Sequence, residues 1–228
     1  MGILIDRYSC DVKTWDVFSV GSFARILDVQ RFLSTYVLEF QESSMETRTF
    51  YDSPNALLEK AGISICKVIG KDYSYVKIEK ENYLPTQSKI RIEADKTFIQ
   101  EIKPKDYLTD HNIELSRGIA LMFSTNLPID LDHVIKVLIP KIQATVKRRI
   151  YKIFSGNGFK AEMRFEDILF KNNDTRKSAT ALMLKIELKS PATFREQFAD
   201  LCLKFEKYCK EIAENNQSKF QVAKRLTK

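Results

Sequence analysis

The sequence contains few of the residues that build metal centres, disulfide frameworks or flexible segments. Its 228 residues include 4 cysteines, 2 histidines, 7 glycines and 6 prolines. So little glycine and proline argues against a disordered or collagen-like chain. The cysteines lack the paired spacing of metal ligands and the histidines stand alone, so the sequence predicts no cysteine or histidine metal site. Cys202 and Cys209 lie on one apolar face of a predicted helix, and we expect buried free thiols there.

Segments able to cross a membrane are also missing. No apolar stretch approaches the roughly 18 residues that a membrane-spanning helix needs. The N-terminal residues lack the basic start and apolar stretch of a secretory signal. We therefore expect a soluble cytoplasmic protein with no membrane partner. The chain has a hydrophobic fraction of 44%, enough for a core, and a net charge of +7, which favours an anionic partner such as a nucleotide, a polyphosphate or a nucleic acid.

Hydrophobic periodicity predicts a single α+β domain. Helical spacing predicts helices from Ser22 to about Leu38, within residues 104–140, and after Thr193, which forms a capping-box pair with Glu196. Alternating patterns predict strands near residues 46–51, 63–69, 73–80, 88–94, 142–154, 159–170 and 179–189. Hairpin-like connections dominate and no linker interrupts them, so we expect an antiparallel sheet. The predicted domain covers residues 1–215 and is followed by a basic tail at residues 216–228.

Charged residues alternate with apolar ones on several predicted strands. In residues 159–170, Glu162, Arg164 and Glu166 share one face, and apolar side chains share the other. One interpretation is an antiparallel sheet with an apolar core face and a solvated charged face. The other is a barrel lined by mixed charge that holds an anion and a metal ion. The strand pattern alone does not decide between these interpretations.

The segment from Thr47 to Ile65, TRTFYDSPNALLEKAGISI, carries the strongest family likeness. Its residues predict a strand, a short helix with Ser53 as N-cap and Pro54 in its first turn, a stop at Gly62, and a second strand. The wording resembles the YyDTpd…LlkaGisLR signature of the CYTH superfamily, the triphosphate tunnel metalloenzymes. Further strands resemble family motifs in the same order, among them RIEAD, VKRRIY, AEMRFED and LKIELK.

The resemblance implies an antiparallel eight-stranded β-barrel or tunnel with helices packed outside, and Mg²⁺ or Mn²⁺ as the cofactor. By motif position, the implied phosphate-binding residues are Lys80, Arg91, Lys147 and Arg149. By the same criterion, the implied metal ligands are Glu93, Glu166 and Glu187. The resemblance assigns no catalytic residue.

Several family positions carry different residues in this chain. The opening E-x-E-x-K motif retains only Asp16, with Phe18 and Val20 at the other two places. The expected L-R-x-R becomes Ile65-Cys66-Lys67-Val68, and Lys185 replaces the first glutamate of the last strand motif. Such losses would remove much of the charge stabilisation that metal-assisted phosphoryl transfer needs.

These observations leave three functional hypotheses. The first is a divergent CYTH-like protein that binds a triphosphate, nucleotide or polyphosphate anion in a β-tunnel, with metal-dependent phosphohydrolase activity as an open question. The second is a degenerate, non-catalytic scaffold that acts through a protein or nucleic-acid partner, its tunnel partly filled by side chains such as Cys66 and Val68. The third is an RNA-binding module that uses the basic character of the chain.

Overall fold

One antiparallel sheet organises the molecule. The computed structural model describes residues 3–4, 12–19, 35–80, 89–93, 137–209, 211–215 and 217–228. The strands are β1 (Ile3–Leu4), β2 (Val12–Val17), β3 (Val37–Asp52), β4 (Ile63–Ile69), β5 (Ser74–Lys80), β6 (Lys89–Glu93), β7 (Ile139–Phe154), β8 (Lys160–Asn172), β9 (Ser178–Leu188) and β10 (Ile212–Glu214). The helices are α1 (Leu57–Lys60), α2 (Arg195–Tyr208), which follows a 3-10 turn at Ala192–Phe194, and α3 (Lys219–Leu226).

The strands pair in the order β1-β6-β5-β4-β3-β7-β8-β9-β2-β10. Each neighbouring pair is antiparallel. The predicted antiparallel α+β architecture is therefore confirmed. Within the described residues no pairing joins β1 to β10, so neither closure into a barrel nor the expected count of eight strands is confirmed.

One face of the sheet packs against α2, and we call it the α2 face. Trp15 of β2, Ile153 of β7 and Leu184 of β9 are fully buried there. Leu201 and Phe205 of α2 complete this cluster. The alternation of apolar residues along β8 and β9 produces it, because successive side chains of a strand point to opposite faces.

The opposite face packs against α3, and we call it the α3 face. Its apolar part includes Val68 of β4, Val146 of β7 and Ile168 of β8, with Phe220 and Val222 of α3. Along β7 the buried residues change parity, from Ile142, Ala144 and Val146 on the α3 face to Tyr151 and Ile153 on the α2 face. A long strand therefore serves both apolar clusters, one at each end.

Strand β3 is much longer than predicted, with 16 residues in place of the expected 46–51. Its first half, from Val37 to about Met45, is largely exposed and mostly polar, so it lacks an apolar alternation. Backbone pairing with β7 holds it in the sheet. Most of the helices predicted at residues 22–38 and 104–140 lies outside the described residues, and Val37 and Ile139 already begin strands.

The corner after β3 is built around Asp52 and not around Ser53. The carboxylate of Asp52 accepts hydrogen bonds from the backbone N–H groups of Ser53 at 2.7 Å, Leu58 at 2.9 Å and Glu59 at 3.1 Å. The helix begins at Leu57, so the predicted N-cap at Ser53 and first turn at Pro54 are displaced from its start. The Ser53 hydroxyl still accepts a bond from the Leu57 N–H at 2.9 Å.

The capping box lies on a different helix from the one predicted. No side chain caps α2, because Thr193 lies inside the preceding 3-10 turn and Phe194 takes the N-cap position. Helix α3 has the capping box: Gln221 N–H donates to the Ser218 hydroxyl at 3.2 Å, and the Ser218 N–H donates to the Gln221 side chain at 3.0 Å. Such a pair satisfies two backbone donors at the start of a helix.

The segment predicted as a basic tail contains α3. Phe220, Val222 and Ala223 are buried among apolar side chains of five strands. Burial of a side chain the size of phenylalanine or valine contributes about 1.5 to 3 kcal/mol. The lysines and arginine of this segment therefore accompany a helix that packs against the sheet. Cys202 and Cys209 are buried free thiols, as predicted.

In the described part of the chain, none of the helices is long and apolar enough to cross a membrane.

Candidate functional site

Charged side chains are concentrated on the α3 face, beside its apolar part. Glu166 of β8 pairs in register with Arg148 of β7, and Arg148 pairs with Ser44 of β3. Residues opposite each other in an antiparallel pair share a face, so these positions form one row across the sheet. Side chains of the adjacent rows, of the β4–β5 turn and of α3 join them. We call this group the inner ion cluster; it comprises Glu46, Arg48, Tyr73, Arg148, Glu166 and Lys219.

Arg148 lies at the centre of the inner ion cluster. Its Nη2 is 2.8 Å from Oε1 of Glu46, and its Nε is 3.0 Å from Oε1 of Glu166. Arg48 forms a second ion pair with Glu46, and Lys219 forms one with Oε2 of Glu166. The Tyr73 hydroxyl donates to Oε2 of Glu46 at 2.7 Å. Each of the two carboxylates therefore has a partner on both of its oxygens.

Both carboxylates of the inner ion cluster are almost completely buried, with 2% of each residue exposed. Burial would raise the pKa of Glu46, but the guanidinium groups of Arg48 and Arg148 lower it to about 2. Burial likewise acts to raise the pKa of Glu166, and Lys219, Arg48 and Arg148 hold it well below the ordinary value. Both groups are therefore ionised at neutral pH, which buried carboxylates tolerate only when they are paired.

Burial and the neighbouring guanidinium groups lower the pKa of Lys219, while contact with Glu166 opposes that shift. Burial also acts to lower the pKa of Arg148, but its contacts with Glu166 and Glu46 raise it above the ordinary value. The inner ion cluster is thus a set of mutually dependent charges. Removal of either carboxylate leaves buried basic side chains without one of their partners.

A glycine at position 70 leaves room for Tyr73 to lie against the inner ion cluster. The Gly70 N–H donates to the Tyr73 carbonyl at 2.8 Å and closes the turn between β4 and β5. A Cβ at position 70 would overlap the Tyr73 ring, with 2.8 Å to its Cε2. Glycine at position 70 therefore allows the ring to lie over the turn, from which its hydroxyl reaches Glu46.

A second charged group lies further along β8 and β9 on the same face. We call it the outer ion cluster; it comprises Glu162, Arg164, Lys185, Glu187 and Lys189. Three cations surround the Glu187 carboxylate: Lys189 Nζ at 2.5 Å from Oε1, and Arg164 Nη2 and Lys185 Nζ each at 3.6 Å from Oε2. Burial would raise the pKa of Glu187, but these cations lower it to about 2.

The outer ion cluster is accessible from solvent, in contrast to the inner one. The Glu187 side chain is 12% exposed and that of Lys189 is 40% exposed. Arg164 also forms an ion pair with Glu162. The arrangement can hold a compact anion, because three basic side chains already converge on one pair of carboxylate oxygens.

The structure separates the residues that the sequence predicts as a common site. Glu166 belongs to the inner ion cluster and Glu187 to the outer one, both on the α3 face. Lys147 and Arg149 are exposed and lie on the opposite side of β7 from Arg148. A shift of one residue along a strand changes its face, so the basic residue of this motif beside Glu166 is Arg148.

Three further predicted residues are described by their backbone positions. Arg91 pairs with Lys77, which pairs with Cys66, and Cys66 belongs to the α3 face. Glu93 pairs with Tyr75, which pairs with Val68 on the same face. These register positions place Arg91 and Glu93 in α3-face rows. Lys80 pairs with Ile63, a position of the opposite parity on β4.

Asp16, the retained residue of the opening motif, also has partners of its own. It pairs in register with Met183 of the α3 face. Arg225 of α3 donates to its Oδ2 at 3.0 Å, and the Asn215 side chain donates to its Oδ1 at 2.5 Å. Asp16 lies in β2, whereas Phe18 follows the strand and Val20 lies outside the described residues. Asp16 anchors α3 and the segment that precedes it.

Comparison with known proteins identifies the fold. No protein family model and no curated protein matches the sequence. An adenylyl cyclase candidate from Hippeastrum, described as revealing a dominant triphosphatase activity, has a TM-score of 0.57 at 12% identity over 94% of each chain. An adenylate cyclase candidate from Bacillus halodurans has a TM-score of 0.55 at 10% identity over 97% of this chain and 98% of that one. This chain has a CYTH-type fold. The likeness supports the predicted antiparallel sheet of this fold, without its closure into a barrel or its count of eight strands, and it carries no activity across at these identities.

Glu166 and Glu187, the predicted metal ligands whose side chains the structure describes, do not fit a divalent metal ion, and neither do Glu46 and Asp16. Mg²⁺ and Mn²⁺ prefer oxygen ligands and usually take one or two carboxylates. Glu46, Glu166 and Glu187 are each bound by at least two basic side chains, and Asp16 is bound by Arg225 and Asn215. Within the described residues, no three His, Cys, Asp or Glu side chains form a group that could hold a metal.

Proposed function

We propose that this chain binds a phosphate-rich anion on the α3 face through the outer ion cluster, without a protein-held divalent metal. The observation that carries the proposal is the convergence of Arg164, Lys185 and Lys189 on the Glu187 carboxylate. A phosphate group offers more oxygens and more negative charge than a carboxylate. It can therefore replace Glu187 as the partner of these three cations.

The geometry of the cluster favours this kind of ligand. Arg164 has a planar guanidinium that can take two phosphate oxygens at once, and the two lysines act as mobile point charges. Arg164 belongs to β8 and Lys185 to β9, and Lys189 directly follows β9. The two strands pair from Ala161 to Lys171 of β8, so the sheet fixes the spacing of the cations. Partial exposure lets an anion enter without first breaking the buried pairs of the inner ion cluster.

The ligand class follows from the fold together with the charge. The Hippeastrum protein of similar fold is described as a triphosphatase. A triphosphate, a nucleotide or a polyphosphate is thus the anion that we propose for this chain. Metal-assisted hydrolysis is not part of the proposal, since it needs a positioned metal and an activated water. The described carboxylates are bound by basic side chains instead.

Thermal unfolding with tripolyphosphate in the presence of EDTA tests this function. We expect the ligand to raise the melting temperature of the wild type, because a ligand that binds only the folded state stabilises it. Lys185→Ala should reduce that rise, whereas Lys147→Ala on the opposite side of the sheet should leave it unchanged. A rise in melting temperature that is lost in Lys147→Ala and kept in Lys185→Ala would contradict the proposal. It would favour the phosphate-binding residues that the motif resemblance assigns.

The non-catalytic scaffold is the second candidate. It is favoured by the filling of the α3 face with Phe220 and Val222 of α3, opposite Cys66 and Val68. A scaffold of this kind would engage a protein or a nucleic acid through other surfaces. Failure of tripolyphosphate, ATP and long-chain polyphosphate to raise the melting temperature at millimolar concentration would favour it over anion binding.

A further inference from the structure

The contact between Glu166 and α3 has the chemistry of a cation site. One carboxylate oxygen of Glu166 accepts from Arg148 Nε at 3.0 Å, and the other contacts the ammonium group of Lys219. The motif resemblance implies a divalent metal ligand at Glu166. In this structure the position beside its Oε2 is taken by a side chain of the chain itself.

We propose that Lys219 is a built-in cation that occupies the metal position at Glu166, so that this site excludes Mg²⁺ and Mn²⁺. The inference does not depend on anion binding by the outer ion cluster, because it concerns another carboxylate and another set of contacts.

The fold places Lys219 in this position by several independent contacts. Lys219 is the first residue of α3, directly after the N-cap Ser218 and inside the Ser218–Gln221 capping box. The next residue, Phe220, is buried in the apolar part of the α3 face and stacks near Phe50 with ring centroids 5.7 Å apart. The position of the ammonium group is thus fixed by a packed helix and not by a mobile tail.

Electrostatics makes the exclusion effective. A divalent ion would need at least one oxygen of Glu166, and both oxygens already have basic partners. It would also have to lie close to Arg148 and Arg48, whose charges act on Glu166. Removal of the Lys219 side chain would free Oε2 of Glu166 and take away one of the three positive charges that act on this carboxylate.

The test compares the effect of MnCl₂ on the melting temperature of three purified chains stripped with EDTA. They are the wild type, Lys219→Ala, and Lys224→Ala as the matched control. Lys224 lies one and a half turns further along α3 and pairs with Glu59 instead of Glu166. Circular dichroism establishes that each variant is folded before Mn²⁺ is added.

We expect millimolar Mn²⁺ to raise the melting temperature of Lys219→Ala by a few degrees and to leave the wild type and Lys224→Ala unchanged. The gain should disappear in the double variant Lys219→Ala, Glu166→Gln, which lacks the carboxylate. A folded Lys219→Ala chain that does not respond to Mn²⁺ would overturn the proposal.

A wild-type response to Mn²⁺ that is lost in Glu166→Gln would also overturn it, because the metal would then reach Glu166 beside Lys219. This second measurement decides the question if Lys219→Ala does not fold.

Discussion

The two ion clusters of the α3 face use the same residue types in different environments. In the inner ion cluster Glu46 and Glu166 are each 2% exposed, and their partners come from β7, from α3 and from β3 itself. In the outer ion cluster, the partners of Glu187 among the described residues are Arg164 of β8, Lys185 of β9 and Lys189, which directly follows β9. The Lys189 side chain is 40% exposed. The inner ion cluster connects separate elements of the fold, and the outer ion cluster lies on the single strand pair β8–β9.

This difference separates structural charges from ligand-binding charges. A buried ion pair costs much to break, because the remaining charge has no access to water. An exposed pair contributes little to stability and can exchange its partner for a ligand. We therefore assign stability to the inner ion cluster and anion binding to the outer one, and the following variants test that division.

The largest effect is expected for Glu166→Ala. This change leaves Lys219 without its carboxylate and Arg148 with Glu46 as its remaining one, and it should lower the free energy of unfolding by about 3 to 5 kcal/mol. Glu162→Ala on the same strand and face is the control, with an expected loss of no more than about 1 kcal/mol. Urea unfolding measures both. Equal losses would remove the distinction between the clusters.

Glu46 should contribute to the pH dependence of stability, together with Glu166 and Glu187, whose pKa values are also lowered. The pKa of Glu46 falls from about 4.5 in the unfolded chain to about 2 in the folded one, so the carboxylate stabilises the fold above pH 4.5. That contribution is lost as the pH falls from 4.5 towards 2, up to about 3 kcal/mol. Urea unfolding in this range should show the decline in the wild type and a flatter profile in Glu46→Gln. Identical profiles would contradict the role of Glu46.

Gly70→Ala should have an intermediate effect through Tyr73. The added methyl group overlaps the Tyr73 ring and must displace it from the turn, which weakens the hydrogen bond to Glu46. Overpacking of this kind typically costs about 1 to 3 kcal/mol. Tyr73→Phe removes only the hydroxyl and is the control for the hydrogen bond alone. If Gly70→Ala leaves both stability and the tyrosine fluorescence unchanged, the turn is not constrained by this ring.

The smallest effect on stability is expected for Arg164→Ala. Its partner Glu162 is 22% exposed, and its partner Glu187 keeps Lys185 and Lys189, so the free energy of unfolding should change by less than about 1 kcal/mol. The affinity for tripolyphosphate should nevertheless fall, because the guanidinium is the only planar donor of the outer ion cluster. A large loss of stability without a loss of tripolyphosphate affinity would contradict this assignment, because the outer ion cluster would then serve stability and not anion binding.

The sequence predicts the sheet well where polar and apolar residues alternate. Strands β4, β7, β8 and β9 are found within a few residues of the predicted ranges, because one face of each is apolar. The first half of β3 has no such alternation and is held by β7, a partner distant in sequence. Pairing of that kind leaves no local pattern to detect.

The residues of the site are harder to predict, because a shift of one residue along a strand places a side chain on the opposite face of the sheet. VKRRIY offers basic residues at positions 147, 148 and 149; the resemblance selects Lys147 and Arg149, whereas the residue that contacts Glu166 is Arg148. Thr47 and Thr49 indicate the strand, and the sequence gives no separate signal for the charged residues Glu46 and Arg48 within it. Lys219 appears as part of a charged tail, although the capping-box residues Ser218 and Gln221 beside Phe220 are a helix signal.

The central claim is metal-independent anion binding by the outer ion cluster. Isothermal titration of tripolyphosphate into the wild type and into Glu187→Gln, both in EDTA, tests it most directly. The account predicts binding to the wild type and tighter binding to Glu187→Gln, because the variant removes the carboxylate that competes for the three cations. Binding that requires Mn²⁺ and is lost in Glu187→Gln would contradict the account and make Glu187 a metal ligand.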